Sequence, residues 1–337
     1  MRLPLALRLR LHRLRDLVSI LSGLRRNGLR DCRARRLPEP EPIAFHCDGL
    51  RLMGDLWQPP RDTAQPPPAI LLMHGSSPRG RRAAIIRVLA HHLHKRGYCM
   101  LSFDSRGFGE SDRPTQSSAP HQFRAARDVT AAIDFLLERG AADPERLFIV
   151  AHSMGAGIAL EAQEDEPRIA AMALLGPPRR LGQRLLREDA PDRQFMLARA
   201  RRDMQLAYPL DERLFLRTSA ARDIERHIDR FARAAAPPLL LIDCGDEDPK
   251  DLAFLRRVAE RGRGRVGYWT VPHADHYLGT GWLLGRAVYP CSRVELFTDR
   301  VDVFLRRSPR RADQAEQADQ AEQAAGPAAA RSSAGQG

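Results

Sequence analysis

The chain has 337 residues, of which 43% are hydrophobic and 28% charged, with a net charge of +12. That hydrophobic share supports a sizeable core and excludes a wholly disordered protein, while the length fits either one large domain or two. Lys95 and Lys250 are the only lysines, and the arginine excess is uneven: residues 1–36 carry net +9, residues 308–337 net −1, and the body between them only +4. A body so near neutrality lacks the basic stripe needed to follow a phosphate backbone, so no nucleic-acid partner is expected.

The N-terminal segment reads as an amphipathic helix. Leu7, Leu11, Leu14, Val18 and Leu21 recur at spacings of four and three, and Leu17, Ile20 and Leu24 widen that face. Arg8, Arg13, Arg15 and Arg26 flank or oppose it. Its longest uncharged run, from Leu17 to Leu24, is far short of the ~20 apolar residues of a spanning helix. The crowded arginines also fit a secretory leader badly. Two principal readings follow: a helix packed on the body with a solvated basic face, or peripheral membrane contact through residues 1–36, lying in an anionic bilayer surface. A partner protein or an organelle address are further options. The scattered cysteines Cys32, Cys47, Cys99, Cys244 and Cys291 contain no C-x-x-C and read as reduced thiols of a cytoplasmic protein.

Residues 37–42, L-P-E-P-E-P, form a stiff extended linker that closes a first segment, 1–42. The body, 43–307, opens with a hairpin in which Ile43 to Cys47 and Leu50 to Trp57 flank Asp48-Gly49. Strands are expected at Ala69–Met73, Tyr98–Phe103, Leu147–Ala151, Ile169–Leu175, Leu239–Asp243 and Arg265–Val271, several of them continuous apolar runs. Helical stretches near 82–96, 123–139, 154–164, 250–261 and 292–307 complete a mostly parallel, doubly wound α/β sheet with an N-terminal antiparallel hairpin. Residues 176–236 are too long for a simple crossover and read as a helical cap insertion. From 308 to 337 the chain turns to A-D-Q-A-E-Q repeats, then Ala, Gly and Ser, and is expected to be disordered.

The chemistry gathers at strand ends. Ala151-His152-Ser153-Met154-Gly155-Ala156-Gly157 follows an apolar strand and opens a helix. A turn this sharp needs tiny residues two before and two after the serine, and it aims a helix N-terminus at the hydroxyl. This is the nucleophile-elbow pattern G-x-S-x-G, with Ala151 at the first glycine. A serine nucleophile needs a base and the base an orienting acid. Downstream strands end in Asp243-Cys244-Gly245-Asp246-Glu247-Asp248 and in Pro272-His273-Ala274-Asp275-His276-Tyr277. Ser153, Asp248 and His276 therefore fall in the order serine, acid, histidine, with Asp246 the rival acid and His273 the rival base. His74-Gly75-Ser76 ends the first parallel strand, where a glycine turn can aim an N–H at an oxyanion; Met154 N–H is the second donor. His74 as the base is another reading, set against by its place before the serine. Gly107-Phe108-Gly109 lacks the third glycine of a dinucleotide fingerprint, since Asp112 occupies that position, and reads as a turn held by Asp104 and Arg106.

Taken together, H-G, D-S-R-G-F-G-E-S, A-H-S-M-G, G-D-E-D and A-D-H-Y, each after a strand, resemble the α/β-hydrolase superfamily over residues 43–307. The opening F-H-C-D-G-L-R-L-M-G-D-L-W-Q-P is similar to its dienelactone-hydrolase-like and serine-aminopeptidase-like branch. The resemblance implies Ser153 as nucleophile, Asp248 as acid and His276 as base, with Gly75, Ser76 and Met154 around the oxyanion. It implies a serine hydrolase acting on a small-molecule or lipid-like carboxylic ester, or on a thioester or amide, with neither metal nor organic cofactor. An acyltransferase on the same triad and a membrane-associated, non-catalytic binding protein are the alternatives.

Overall fold

A computed structural model describes residues 5–60, 65–115, 118–180, 186–187, 194, 212–232, 236–246, 248–262, 264–314 and 316. In chain order the elements are α1 (Leu5–Asn27), β1 (Cys32–Arg35), β2 (Glu41–Cys47), β3 (Leu50–Trp57), β4 (Ala69–Met73), α2 (Ala84–His94), β5 (Cys99–Phe103), α3 (Arg127–Glu138), β6 (Leu147–His152), α4 (Met154–Ala162) and β7 (Ile169–Leu175). Then come α5 (Glu212–Ala221), α6 (Ile224–His227), β8 (Leu239–Cys244), α7 (Pro249–Arg261), β9 (Val266–Val271), β10 (Gly281–Leu283), β11 (Arg286–Pro290) and α8 (Cys291–Arg307).

Eight strands form the main sheet in the order β2-β3-β5-β4-β6-β7-β8-β9. β2, β3 and β5 pair antiparallel, and every later neighbour pairs parallel. Burial follows position. The edge strand β2 alternates, sending Ile43, Phe45 and Cys47 inward, whereas β4, β6, β7 and β8 are buried at every residue. Continuous apolar runs suit those strands because helices cover both faces. One core joins the sheet to α3, α4 and α7 through Val129, Ile133, Ala156 and Leu255. The other joins it to α2 and α8 through Ile86, Leu89, Phe297 and Val301. From β4 the chain steps to β5 on one side, then returns to β6 on the other. The carboxyl ends of β4 and β6 therefore flank a topological switch point, where open α/β sheets build their sites.

The sequence pattern gave no sign of a second sheet, β1-β11-β10, which is antiparallel and three-stranded. It ties the N-terminal segment to the body. Leu37 is buried, and Arg87 Nη2 donates to Pro38 O at 2.9 Å, so the extended linker lies along the protein. Helix α1 packs on β10 through Asp16, Ser19, Ile20 and Gly23, while Leu14, Leu17, Val18 and Leu21 face outward. It is thus docked on the body, but through the face opposite the leucines. The reason is close packing: a Cβ at Gly23 would lie 3.2 Å from Gly279 O, and one at Gly281 2.7 Å from Asp16 O. Small residues bring the backbones together where leucines would hold them apart.

Of the expected insert, residues 212–221 and 224–232 are helical, and the stretches 181–185, 188–193, 195–211 and 233–235 lie outside the described residues. Of the expected tail, residues 308–314 pack on the body: Gln314 is buried and its Nε2 donates to Ala170 O at 2.8 Å. Residues 317–337 lie outside the described residues.

Candidate active site

Ser153 stands between the last residue of β6 and the first of α4, with φ 54° and ψ −118°. A non-glycine residue held at positive φ costs about 1–3 kcal/mol and persists only where its surroundings fix it. Here Ser153 N–H donates to Leu175 O at 2.8 Å and Ala156 N–H to Ser153 O at 3.0 Å. The small neighbours answer to close approach. A Cβ on Gly155 would lie 2.7 Å from His74 O and 2.9 Å from Met73 Cβ, and one on Gly157 2.6 Å from Arg222 Cβ. A Cβ on Gly75 would lie 3.0 Å from Ser153 Cβ and 2.9 Å from His152 Nδ1. The turn after β4 therefore rests directly against the elbow.

Gly75 lies against Ser153 Cβ, and Met154 follows Ser153 directly in the chain. Met154 opens α4, and the first N–H groups of a helix have no intrahelical acceptor. His74 has another part than the base once weighed for it. Its Nε2 accepts from Ser105 N–H at 3.0 Å, so the proton sits on Nδ1, which donates to Gly75 O at 2.7 Å. Both nitrogens are committed, and burial pushes the imidazole's pKa down. In a trans peptide C=O and N–H point opposite ways, so holding Gly75 C=O fixes the direction of Ser76 N–H.

The two downstream loops are zipped together. Gly245 N–H donates to Val271 O at 2.8 Å and Asp246 N–H to Ala274 O at 3.1 Å. A Cβ on Gly245 would lie 2.9 Å from Val271 O and 3.0 Å from His273 N, which explains the glycine. His276 is half-buried, its ring 4.7 Å from the ring of His152, and its carbonyl accepts from His152 Nε2 at 2.9 Å. Because a carbonyl only accepts, His152 carries its proton on Nε2. Burial, aided by His276, keeps it neutral well below the usual histidine range. The side chain just before Ser153 thus ties down the His276 loop. His273 is exposed at φ 51°.

Asp275 fastens the same loop from the other side. Its Oδ1 accepts from Tyr277 N–H at 3.0 Å and Gly279 N–H at 2.7 Å, and its Oδ2 from Ser19 Oγ at 2.9 Å. His152 and Asp275 both lie inside motifs read from the sequence, but the His152–His276 and Asp275–Ser19 contacts, each spanning more than 100 positions, leave no local signal. Asp248 caps α7, its Oδ1 accepting from Lys250 N–H at 2.8 Å, and its side chain is exposed. Asp246 is paired with Arg26 of α1.

The glycine-rich turn after β5 is explained without any nucleotide. Asp104 accepts from Arg81 N–H at 2.7 Å and Glu110 N–H at 2.9 Å, and its carboxylate fills the space that side chains at Gly80 and Gly109 would need. Arg106, 1% exposed, pairs with the wholly buried Asp128 through Nε at 2.8 Å and Nη2 at 2.5 Å.

This sheet order, with an elbow serine at the switch point, defines an α/β-hydrolase fold. Solved structures agree on the fold. The esterase Pf2001 of Pyrococcus furiosus superposes with a TM-score of 0.54 at 19% identity, covering 80% of this chain and 91% of that one. A soluble variant of monoglyceride lipase from Saccharomyces cerevisiae gives 0.56 at 16% identity, covering 81% and 97%. Within that fold the chain belongs to the serine aminopeptidase S33 family, whose model matches residues 64–240. An uncharacterized protein of Mycobacterium tuberculosis is 33% identical over 132 residues, 39% of this chain and 42% of its own length. The esterase EstD of Thermotoga maritima is 28% identical over 120 residues, 34% of this chain and 28% of its own length. The chain thus spans less than half the length of the curated relatives it matches.

Proposed function

We propose that the protein is a serine hydrolase that cleaves a carboxylic ester through an acyl-enzyme. The observation that carries this reading is the backbone of Ser153, left-handed at the β6–α4 junction with Gly75 packed against its Cβ. Strain of this kind, at a switch point and beside a helix N-terminus, presents a hydroxyl; it does nothing for packing.

Ser153 Oγ attacks the ester carbonyl while His276 takes its proton. Charge develops on the carbonyl oxygen, and the N–H groups of Met154 and of the Gly75–Ser76 turn stabilise it. The tetrahedral adduct collapses, the C–O bond breaks and His276 protonates the departing alcohol. Water, deprotonated by His276, then releases the acid. Asp248 holds the imidazole and stabilises its charged form. The loop contacts to His152 and Asp275 support this assignment by holding His276 in place. Arg26 engages Asp246, which favours Asp248 as the acid.

A fluorophosphonate probe and a panel of esters of graded acyl length test the proposal. Wild-type protein labels and turns over. Ser153→Ala loses labelling and several orders of magnitude in kcat while keeping its fold, because only the oxyanion donors and binding remain. Wild-type turnover in that variant overturns the assignment.

A further inference from the structure

We propose that the outward face of α1 is a docking surface for an anionic lipid bilayer. Leu14, Leu17, Val18 and Leu21, spaced three and four apart, are 56%, 42%, 59% and 54% exposed. Leu29 on the exit turn is 81% exposed, and Leu283 and Leu284, at the tip of the hairpin that packs on α1, are 47% and 95% exposed. Among the described residues, the other exposed large apolar side chains are only Leu186, Leu296 and Val303. The apolar surface is therefore concentrated on one helix and the hairpin beside it.

The leucines cannot turn inward. The opposite face is fixed by Ser19 on Asp275, by Asp16 accepting from Arg79 Nη1 at 2.5 Å, and by Gly23 against Gly279. Charge selects the occupant. Arg25, Arg30, Arg33, Arg35 and Arg36 are exposed, whereas Asp16 is buried and Asp31 is bound by Ser292 N–H at 2.9 Å and Ser292 Oγ at 2.7 Å. From residue 14 to 36 no carboxylate is exposed. A two-fold partner copy would set these arginines against their own equivalents, a like-charge arrangement. An anionic headgroup layer neutralises them while the leucines enter the acyl boundary. No helix among the described residues is long and apolar enough to cross a membrane, so contact through this helix is peripheral.

The inner face of α1 touches the loop that carries His276. Ser19 bonds Asp275, and the Arg15 guanidinium lies 4.6 Å from the centre of the Tyr277 ring. Docking therefore holds that loop one helix diameter, roughly 10 Å, from the lipid surface. On the hydrolase reading, on which this clause rests, the substrate is an ester whose acyl chain lies in the bilayer.

The test is co-sedimentation of the full chain with phosphatidylglycerol-containing vesicles and with phosphatidylcholine vesicles, at low and high salt. Wild type is expected to bind the anionic vesicles, to leave them at high salt and to bind phosphatidylcholine weakly. Leu17→Glu with Leu21→Glu should lower anionic binding roughly 10-fold or more. It should leave turnover of a soluble ester unchanged, since these side chains face away from the body, and should slow turnover of an ester dissolved in vesicles. Failure of wild type to bind, or equal binding by the double variant, overturns the docking surface. So does a dimer, seen by light scattering and split by the double variant, without vesicle binding. If wild type turns over no soluble ester, the hydrolase reading and the bilayer-borne ester substrate fall, while the vesicle assay still decides the docking surface.

Discussion

Adding one methyl group at Gly155 is a sharp test of how the elbow and the turn after β4 depend on each other. The new Cβ would lie 2.7 Å from His74 O, 2.9 Å from Met73 Cβ and 3.0 Å from Met73 C. Comfortable carbon contacts lie at about 3.5–4.0 Å, so the neighbours must retreat by roughly 0.5–1 Å. Two of the three are backbone atoms, and no rotamer change can relieve them. The displaced stretch leads into Gly75 and Ser76, whose N–H groups are the proposed oxyanion donors. Overpacking of this sort costs about 1–3 kcal/mol of stability. Misplacing a catalytic group by about 1 Å costs about 10²-fold in rate. Gly155→Ala is therefore expected to melt a few degrees lower and to lose about 10²-fold in kcat with KM little changed. Gly157→Ala is the control. Its Cβ would meet Arg222 Cβ at 2.6 Å and Arg222 O at 2.8 Å, on the side away from the β4 turn. It should lose comparable stability and much less kcat. Thermal melts and steady-state kinetics on a soluble ester measure both quantities. Wild-type kcat in Gly155→Ala, or equal kcat losses in the two variants, would refute the claim that the glycine protects the oxyanion donors.

Further expectations concern the base, the buried ion pair and acid stability. His276→Ala should cost as much activity as Ser153→Ala, and combining the two should add little, while His273→Ala leaves kcat nearly unchanged; kinetics on the four proteins decide it. Asp128→Ala should destabilise by about 3 kcal/mol in denaturant titration, because it removes the wholly buried partner of the Arg106 guanidinium, 1% exposed, and leaves it Asp48 Oδ2 at 3.2 Å and Gln122 O at 2.6 Å. Burial lowers the pKa of His74 and His152, and His91 and His92 are pushed down to about 4. These groups stay neutral in the fold while the unfolded chain takes up protons below about pH 6.5. Their contribution is therefore intact above that pH and is lost progressively as the pH falls from there toward the lowered values. Melting temperature should decline from pH 7 to pH 5; a flat profile contradicts the neutral assignment.

Much of the fold was written in local pattern. Strands buried on both faces had to be unbroken apolar runs, so Ala69–Met73 and Leu147–Ala151 were recognisable without any partner. The elbow was legible because a strand-to-helix reversal admits few residue types: Ser153 needs Gly155 two places on, and Gly157 tightens the helix behind it. The order of serine, acids and histidines along the chain followed from strands ending on one edge. What stayed hidden depends on distant partners. The sheet β1-β11-β10 joins residues more than 250 positions apart, and its strands are too short to carry a period. Chain order set His74 aside as the base, but its actual part, bonded by Ser105 N–H and to Gly75 O, had no sequence signal. His152 gained its part only when the His276 loop came against it, and Asp275 only when α1 brought Ser19 to its carboxylate. Helix α1 draws the boundary most clearly. Its periodicity marked a leucine face, Ile20 included, flanked and opposed by arginines. Period alone cannot say which face turns inward. That was decided by the surface it meets, where Gly279 and Gly281 admit a helix only through Asp16, Ser19 and Gly23, leaving the leucines outside.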